Sequence, residues 1–246
     1  MFSLFKKNKH TDADLSFICA DMHSHLLPGI DDGLQSIEES VAFISELSNM
    51  GYQKLICTPH IIPDIYPNSP ETILPQLDLV KAAVKEKNIN VIIEAAAEYM
   101  VDADMERLIT DNKQLLTFGR NLILIEMSFI GPSPNIEQVI FKLRLKGLQP
   151  VIAHPERYNY YHHSFEKYRH FLDLGCLLQV NLLSLLGYYG KQVKLIADKL
   201  VKHKMVDLLG TDVHHEKHLE ALNDLASEKG FYKSLEGLDV KNKRLL

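Results

Sequence analysis

The sequence predicts an α/β fold in which a parallel sheet, covered by helices, closes into a barrel. Three observations carry that expectation. Seven short apolar runs recur along the 246 residues, helical patterns with their own start and stop signals lie between them, and the runs finish in polar or ionisable side chains. Strands that read as nearly continuous apolar stretches are those buried on both faces, as in a parallel sheet packed under helices. Side chains from the carboxyl ends of all such strands meet at one point only if the sheet closes on itself. An open doubly wound sheet scatters them, and neither G-x-G-x-x-G nor a Walker loop is present to suggest one.

The first run, FICADM, leads into DMHSHLLPGIDDG at 21–33, which places Asp21, His23, His25, Asp31 and Asp32 in one short stretch. Side chains alternate across an extended segment, so histidines at i and i+2 point the same way and can grip one ion. Paired histidines also occur on solvated strand faces, so the reading depends on what the other strand ends carry. Those ends are KLICTPH at 54–60, VIIEAAAE at 91–98, LILIE at 122–126, VIAH at 151–154, CLLQVN at 176–181 and VDLLGTDVH at 206–214. From His25 the successive gaps to His60, Glu98, Glu126, His154, Asn181 and Asp212 are 35, 38, 28, 28, 27 and 31 residues. A strand, a helix and two loops need about that length.

The segments between them carry helix signals. SIEE at 36–39 is a capping box, followed by Val41, Ile44 and Leu47 on one stripe and by Gly51 as a stop. Asn135 is placed to cap IEQVIFKLRLKG, whose Ile136, Val139, Ile140 and Leu143 share a face that ends at Gly147. FEKYRHFLDLG stops on Gly175, KQVKLIADKLVKHK gathers Val193, Ile196, Ala197, Leu200 and Val201 on one side, and LEALNDLASEKG closes on Gly230.

Bulk composition narrows the class. With 46% hydrophobic and 24% charged residues the chain has material for a real core, and its net charge of −5 offers no footprint for a nucleic-acid backbone. Cys19, Cys57 and Cys176 form no C-x-x-C pair, and two of them lie inside apolar runs, which fits a reducing compartment. In MFSLFKKNKH the lysines follow the few apolar residues, the reverse of a signal peptide, and no uncharged apolar run reaches the roughly 18 residues of a membrane span. The expectation is a cytoplasmic protein with a tail over residues 1–16 and a single barrel domain over 17–246. Phe2, Leu4 and Phe5 can touch a membrane or partner, but a frayed terminus is the better account of them.

Gathered at one barrel mouth, the strand ends supply His23, His25, Asp32, His60, Glu98, Glu126, His154, Asp212 and His214. Nitrogen and oxygen donors without thiolate suit two or three divalent ions of the manganese, iron or zinc kind. The four carboxylates otherwise repel one another and take up protons. Cations resolve that conflict. His10, His162, His163, His170, His203, His215 and His218 fall in tails, loops or helices and are not assigned to the cluster.

DMHSHLLPGIDDG, TPH at 58–60, the strand ends at Glu98 and Glu126, PVIAHPERY at 150–158 and TDVHH at 211–215 together resemble the polymerase and histidinol phosphatase (PHP) superfamily. Within it they are most similar to the bacterial manganese-dependent tyrosine phosphatases of capsule and exopolysaccharide systems, over about residues 19 to 230. The resemblance implies a distorted TIM-like (β/α)7 barrel with three divalent metal ions, most readily manganese, at the carboxyl ends of the strands. It implies that His23, His25, Glu98 and Asp212 hold the first metal, that Glu98 bridges to a second held also by Glu126 and His154, and that Asp32, His60 and His214 hold the third. It further implies that Arg157 binds phosphate, that Arg157, Asp212 and His214 are catalytic, and that the substrate is a phosphotyrosine protein, a tyrosine kinase of polysaccharide synthesis or export. In one place the chain departs from the pattern. Members often carry a second arginine several residues after the D-x-H of the last strand, whereas here the loop reads HHEKHL, where Lys217 and His218 are the candidates to substitute, without the bidentate fork.

Rival chemistries leave different marks. A cysteine phosphatase needs Cys followed by five residues and Arg, but the sixth residue after Cys19 is His25, after Cys57 Pro63 and after Cys176 Leu182. Amidohydrolases share the opening H-x-H, yet the fourth strand here offers Glu126 rather than a lysine for a bridging carbamate. Histidinol phosphate, another small phosphomonoester, or a role as a metal-binding docking module remain as alternatives; Glu126 and the IIPDIYP loop after His60 favour phosphotyrosine by resemblance.

Overall fold

In the computed structural model, which describes residues 14–227, 231–235 and 237–246, strand and helix alternate along the chain. The order is β1 (Ala20–Asp21), α1 (Ile37–Asn49), β2 (Lys54–Cys57), β3 (His60–Ile61), α2 (Pro70–Glu86), β4 (Ile92–Ala95), β5 (Glu98–Met100), α3 (Ala103–Thr110) and β6 (Leu122–Glu126). It continues with α4 (Ile136–Leu145), β7 (Gln149–Ile152), α5 (Glu166–Asp173), β8 (Leu177–Asn181), α6 (Leu182–Leu186), α7 (Lys191–Lys202), β9 (Leu208–Gly210) and α8 (Glu216–Ser227). The strands form two parallel sheets, β1-β2-β4 and β3-β5-β6-β7-β8-β9. Two of the expected strands are thus each split in two, because the chain kinks at Thr58–Pro59 and at Ala96–Ala97 and passes from one sheet to the other. The last strand meets the first through the parallel bridge Ser24 to Val213, with Asp212 N donating to His23 O (2.8 Å) and His25 N to Val213 O (3.0 Å).

Side chains alternate across this curled sheet. Ile123, Ile125 and Ile152 face the helices in the larger core, whereas Ala20, Met22, Ile56, Leu124, Val151, Ala153 and Leu208 fill a second core inside the curl. Leu245 enters that inner core from the C-terminal segment, and the buried Lys54 Nζ donates to Leu245 O at 2.7 Å. One end of the curl is therefore filled with hydrocarbon. Stepping two residues at a time along the inner face leads from Leu124 to Glu126 and from Leu208 through Gly210 to Asp212, so the other end is polar.

The helices follow their signals. Ser36 caps α1 as a reciprocal box with Glu39, and α4 buries Ile136, Val139, Ile140 and Leu143 as its stripe requires. Asn135 stands at the N-cap of α4, but its side chain makes no capping bond; Nδ2 instead donates to Asp102 O (3.1 Å), tying α4 to the start of α3. Gly230, the expected stop of α8, lies outside the described residues, as do His10, Phe2, Leu4 and Phe5. Ahead of the expected domain start at residue 17, Leu15 is fully buried and its N–H donates to Met50 O at 2.7 Å. Among the described residues no helix is long and apolar enough to cross a membrane.

Candidate metal centre

The parallel register sets the strand ends side by side. His60 pairs with Glu98, and one strand further Met100 pairs with Glu126. His154 and Asp212 leave their strands with left-handed backbone, φ +31° and +52°, a conformation that non-glycine residues hold only where the surroundings enforce it. The turn redirects each side chain from the sheet into the polar end of the curl.

All nine candidate donors converge there. His23 Nε2 lies 3.3 Å from Glu98 Oε2 and 3.4 Å from Asp212 Oδ1; His25 Nε2 lies 3.6 and 3.5 Å from the same two oxygens. His60 Nδ1 is 3.1 Å from Glu98 Oε2 and 2.9 Å from Glu126 Oε1, and His154 Nε2 is 3.0 Å from Glu98 Oε1. Asp32 Oδ1 approaches His60 Nε2 at 3.4 Å and His214 Nε2 at 3.6 Å. Four overlapping groups could each hold one ion among the described residues: His25 with Asp32, His60 and His214; His23 with His154 and Asp212; His23 with His25 and Glu98; and His60 with Glu98 and Glu126. His154 thus lies with the His23–Asp212 pair as well as beside Glu98, and His60 also faces the Glu98–Glu126 pair, a grouping different in detail from the one that the resemblance implies.

The contacts have the character of a metal-ligand set. His60 Nδ1 lies 3.1 Å from Glu98 Oε2 and 2.9 Å from Glu126 Oε1, and all three atoms are buried, yet none has a hydrogen-bond partner. Such atoms are costly to bury unless something else satisfies them. Burial opposes a charge on His60, but the Glu98 and Glu126 carboxylates beside it raise its pKa to about 12. Burial, then the Glu98 charge, pushes the Glu126 carboxyl up. The field that draws a proton to this cluster draws a divalent cation more strongly.

Around the donors lies a buried shell that composition and spacing did not reveal. Asp31 Oδ2 accepts from His25 Nδ1 (2.7 Å) and from His60 N (3.2 Å), while its other oxygen accepts from Gly33 N. Gly33 is required there, since a Cβ on it would stand 2.3 Å from His25 O. His214 Nδ1 faces Asp212 O at 2.9 Å. On the other side, Asn181 Nδ2 donates to Asp212 Oδ2 (2.7 Å) and Asn181 N donates to the buried carboxylate of Glu156 (2.9 Å). His218, left out of the cluster by its helical position, is buried behind His214, whose N–H donates to His218 Nδ1 at 3.2 Å. Burial, then His215, lowers its pKa to about 4, so His218 brings no positive charge; Lys217 is exposed.

Arg157 borders the cluster. Its Nη1 donates to Asp212 Oδ2 at 2.7 Å, and its guanidinium lies between two rings, 4.7 Å from the centroid of Phe129 and 4.3 Å from that of Tyr189. Stacked, paired and only 23% exposed, it is held as a rigid fork at the mouth. Phe129 stacks in turn on His154 (5.6 Å, 25°), and across the cluster Tyr66 stacks on His60 (5.6 Å, 15°).

The chain is similar to known proteins over most of its length. A family model described as capsular polysaccharide synthesis, CpsB/CapC, matches residues 19–224. The tyrosine-protein phosphatase YwqE of Bacillus subtilis strain 168 is 29% identical over 197 residues, covering 80% of this chain and 78% of its own. The tyrosine-protein phosphatase CpsB of Streptococcus pneumoniae is 27% identical over 236 residues, 91% of this chain and 96% of that one. A crystal structure from work on YwqE and CpsB as unique metal-dependent tyrosine phosphatases aligns with a TM-score of 0.75 at 26% identity, over 90% of this chain and 96% of the other.

Proposed function

Because the chain belongs to the CpsB/CapC family of capsular polysaccharide synthesis, we propose that it is a metal-dependent protein-tyrosine phosphatase. Its substrate on this reading is a phosphotyrosine protein, a tyrosine kinase of capsular or exopolysaccharide synthesis or export, and it works in the cytoplasm. The relatives named as tyrosine-protein phosphatases support the reaction class. The observation that carries it is the convergence of Glu98, Glu126 and His60 donors without hydrogen-bond partners beside a stacked arginine. The reading includes a distorted (β/α)7 barrel formed by residues 17–246 as one domain, with β2 and β3, and likewise β4 and β5, each counted as one interrupted strand.

Three divalent ions, manganese first and iron or zinc as alternatives, fit the donor set: His23, His25, Glu98 and Asp212 for one, Glu98, Glu126 and His154 for another, and Asp32, His60 and His214 for the third. When bound they supply Lewis acidity and an acidified water. By formal charge, three such ions against four carboxylates leave about two positive charges at the mouth, an attraction for a phosphate dianion that the acidic chain as a whole conceals. Arg157 offers its remaining N–H groups to the phosphate oxygens, and Asp212 keeps it aimed. Asp212 and His214 line the reacting face. The rings of Phe129 and Tyr66 flank the cluster where the leaving group must project, and an aromatic leaving group suits such walls.

The test is turnover. We expect hydrolysis of p-nitrophenyl phosphate and of a tyrosine-phosphorylated peptide with added manganese, lost on chelation and in His23→Ala. Alkylating reagents should leave the rate unchanged, because no donor is a cysteine: Cys57 and Cys176 are buried, burial pushes both thiols up to about 12, and the partly exposed Cys19 lies outside the donor set. Activity that survives exhaustive chelation, or that dies on alkylation, contradicts the mechanism. A rate on histidinol phosphate exceeding that on the peptide reassigns the substrate, and inactivity on both with metal bound makes the protein a docking module.

A further inference from the structure

Gln179 lies on β8 one layer below the donors, fully buried, and belongs to no set discussed so far. Its Oε1 faces His23 Nδ1 at 2.9 Å and accepts from His154 N at 3.2 Å, while Nε2 donates to Asn181 Oδ1 at 2.8 Å. We propose that Gln179 is a positioning residue that fixes the tautomer of His23, holding the ring proton on Nδ1 so that the Nε2 lone pair is presented to the cluster. The proposal rests on the metal reading above.

The orientation of the amide is dictated from both ends. A backbone N–H can only donate, so the atom of Gln179 facing His154 N must be the oxygen. At the far end Asp212 Oδ2 accepts from Arg157 Nη1 at 2.7 Å, and a guanidinium can only donate, so that oxygen is an acceptor. Asn181 must therefore turn its NH2 to Asp212 and its oxygen to Gln179, which in turn must answer with NH2. Both constraints leave Oε1 against His23 Nδ1, and two acceptors cannot share that 2.9 Å contact unless the nitrogen carries a proton. His23 Nε2 then faces Glu98 Oε2 and Asp212 Oδ1. Asp212 is thus linked to His23 both across the cluster and through the Asn181–Gln179 relay behind it.

The wall beneath keeps the relay in place. A Cβ on Gly210 would stand 2.8 Å from both Gln179 Nε2 and His23 Cβ, so the bare glycine is what lets the amide and the imidazole pack side by side. Partners of this kind raise the basicity of a ligating histidine and set its angle, and losing one lowers metal affinity by about ten- to a hundred-fold.

Manganese titration of the full-length chain, with free ion read by electron paramagnetic resonance, tests this without reference to turnover. Gln179→Met fills the space without an acceptor and should weaken one class of site by about ten- to a hundred-fold. Gln179→Glu, protonated on the oxygen that faces Asn181 Oδ1, keeps an acceptor toward His23 and His154 N and should stay within a few-fold of wild type. Equal affinity for wild type and Gln179→Met overturns the proposal alone, whereas a wild-type protein that takes up no manganese overturns the metal reading and the proposal with it. Should either variant fail to fold, side-chain ¹⁵N spectra of the zinc-loaded wild type decide: a His23 proton on Nδ1 is expected, and one on Nε2 refutes the assignment.

Discussion

Asp21 shows how much of the centre depends on single buried groups. It accepts from Thr211 N (3.0 Å) and Thr211 Oγ1 (2.6 Å), joining the first strand to the last. Burial raises its pKa to about 6, and the Thr211 bonds only partly offset the shift from 3.8. The folded carboxyl binds its proton more tightly than the unfolded one, so its contribution to stability is full below pH 3.8 and is lost as pH rises towards 6. By the usual conversion that loss is about 3 kcal/mol. In Asp21→Asn the amide can donate to Thr211 Oγ1, which then donates to His23 O, 3.3 Å away. Urea unfolding between pH 4 and 7 should show the wild type losing stability relative to this variant as pH rises; parallel curves would refute it. At Arg157 the fork matters as well as the charge. Arg157→Lys should lower kcat/KM on phosphotyrosine peptide by about a hundred-fold, with metal content unchanged. Most of the candidate donors were legible because they close an apolar run. Gln179 was not, since a lone amide inside CLLQVN carries no sign of what it faces, and neither was the part of Asp31, which stands beside the candidate donor Asp32 and whose carboxylate the loop turns towards His25.

Among the elements, the loop after β6 has the clearest consequence. Tyr158 Oη accepts from Met127 N (2.9 Å) and Tyr160 Oη donates to Ser128 O (3.0 Å), so the base of the loop is fixed. Its tip is apolar and bare: Phe129 is 48% exposed and Ile130 99%. A pinned hydrophobic tip beside His154 is suited to receive an aromatic ring. Phe129→Ala should raise KM for aryl phosphates by about ten-fold with little change in kcat, and should leave small alkyl phosphates untouched, as loss of uniform binding requires. A kcat effect alone would instead place Phe129 in support of Arg157. Elements with a cap and a stripe, such as α1 and α4, were readable from pattern. Helix α2 was less so, because Pro75 lies in its interior and propensity argues against a helix there. The breaks between β2 and β3 and between β4 and β5 were invisible because periodicity continues through them.

At the scale of the whole molecule, the apolar end of the curl is sealed by the chain's own C-terminal segment, which no strand or helix pattern announces. Closure at the polar end was inferable, since donors on every strand must meet; closure at the apolar end required knowing that residues 241–246 return beneath the strands. Leu245 fills the inner core and Asn242, fully buried, donates through Nδ2 to Ala20 O (2.8 Å) and Leu209 O (2.7 Å) while its oxygen accepts from Leu209 N (2.9 Å). These bonds clasp the first strand to the last at the end opposite the donors, so the clasp and the centre act on the same seam. Leu245→Ala should cost about 2–5 kcal/mol by leaving a cavity, and Asn242→Ala about 1–3 kcal/mol by leaving buried partners unpaired. Because Asn242 bonds to Ala20 and Leu209 and Leu245 packs in the inner apolar core, neither to a donor, manganese affinity measured in the native range of urea should remain at the wild-type value until unfolding begins. If instead affinity falls in step with the truncation while the fold persists, the two ends of the seam are mechanically coupled, and the centre is held by the closed curl as a whole rather than by its local shell.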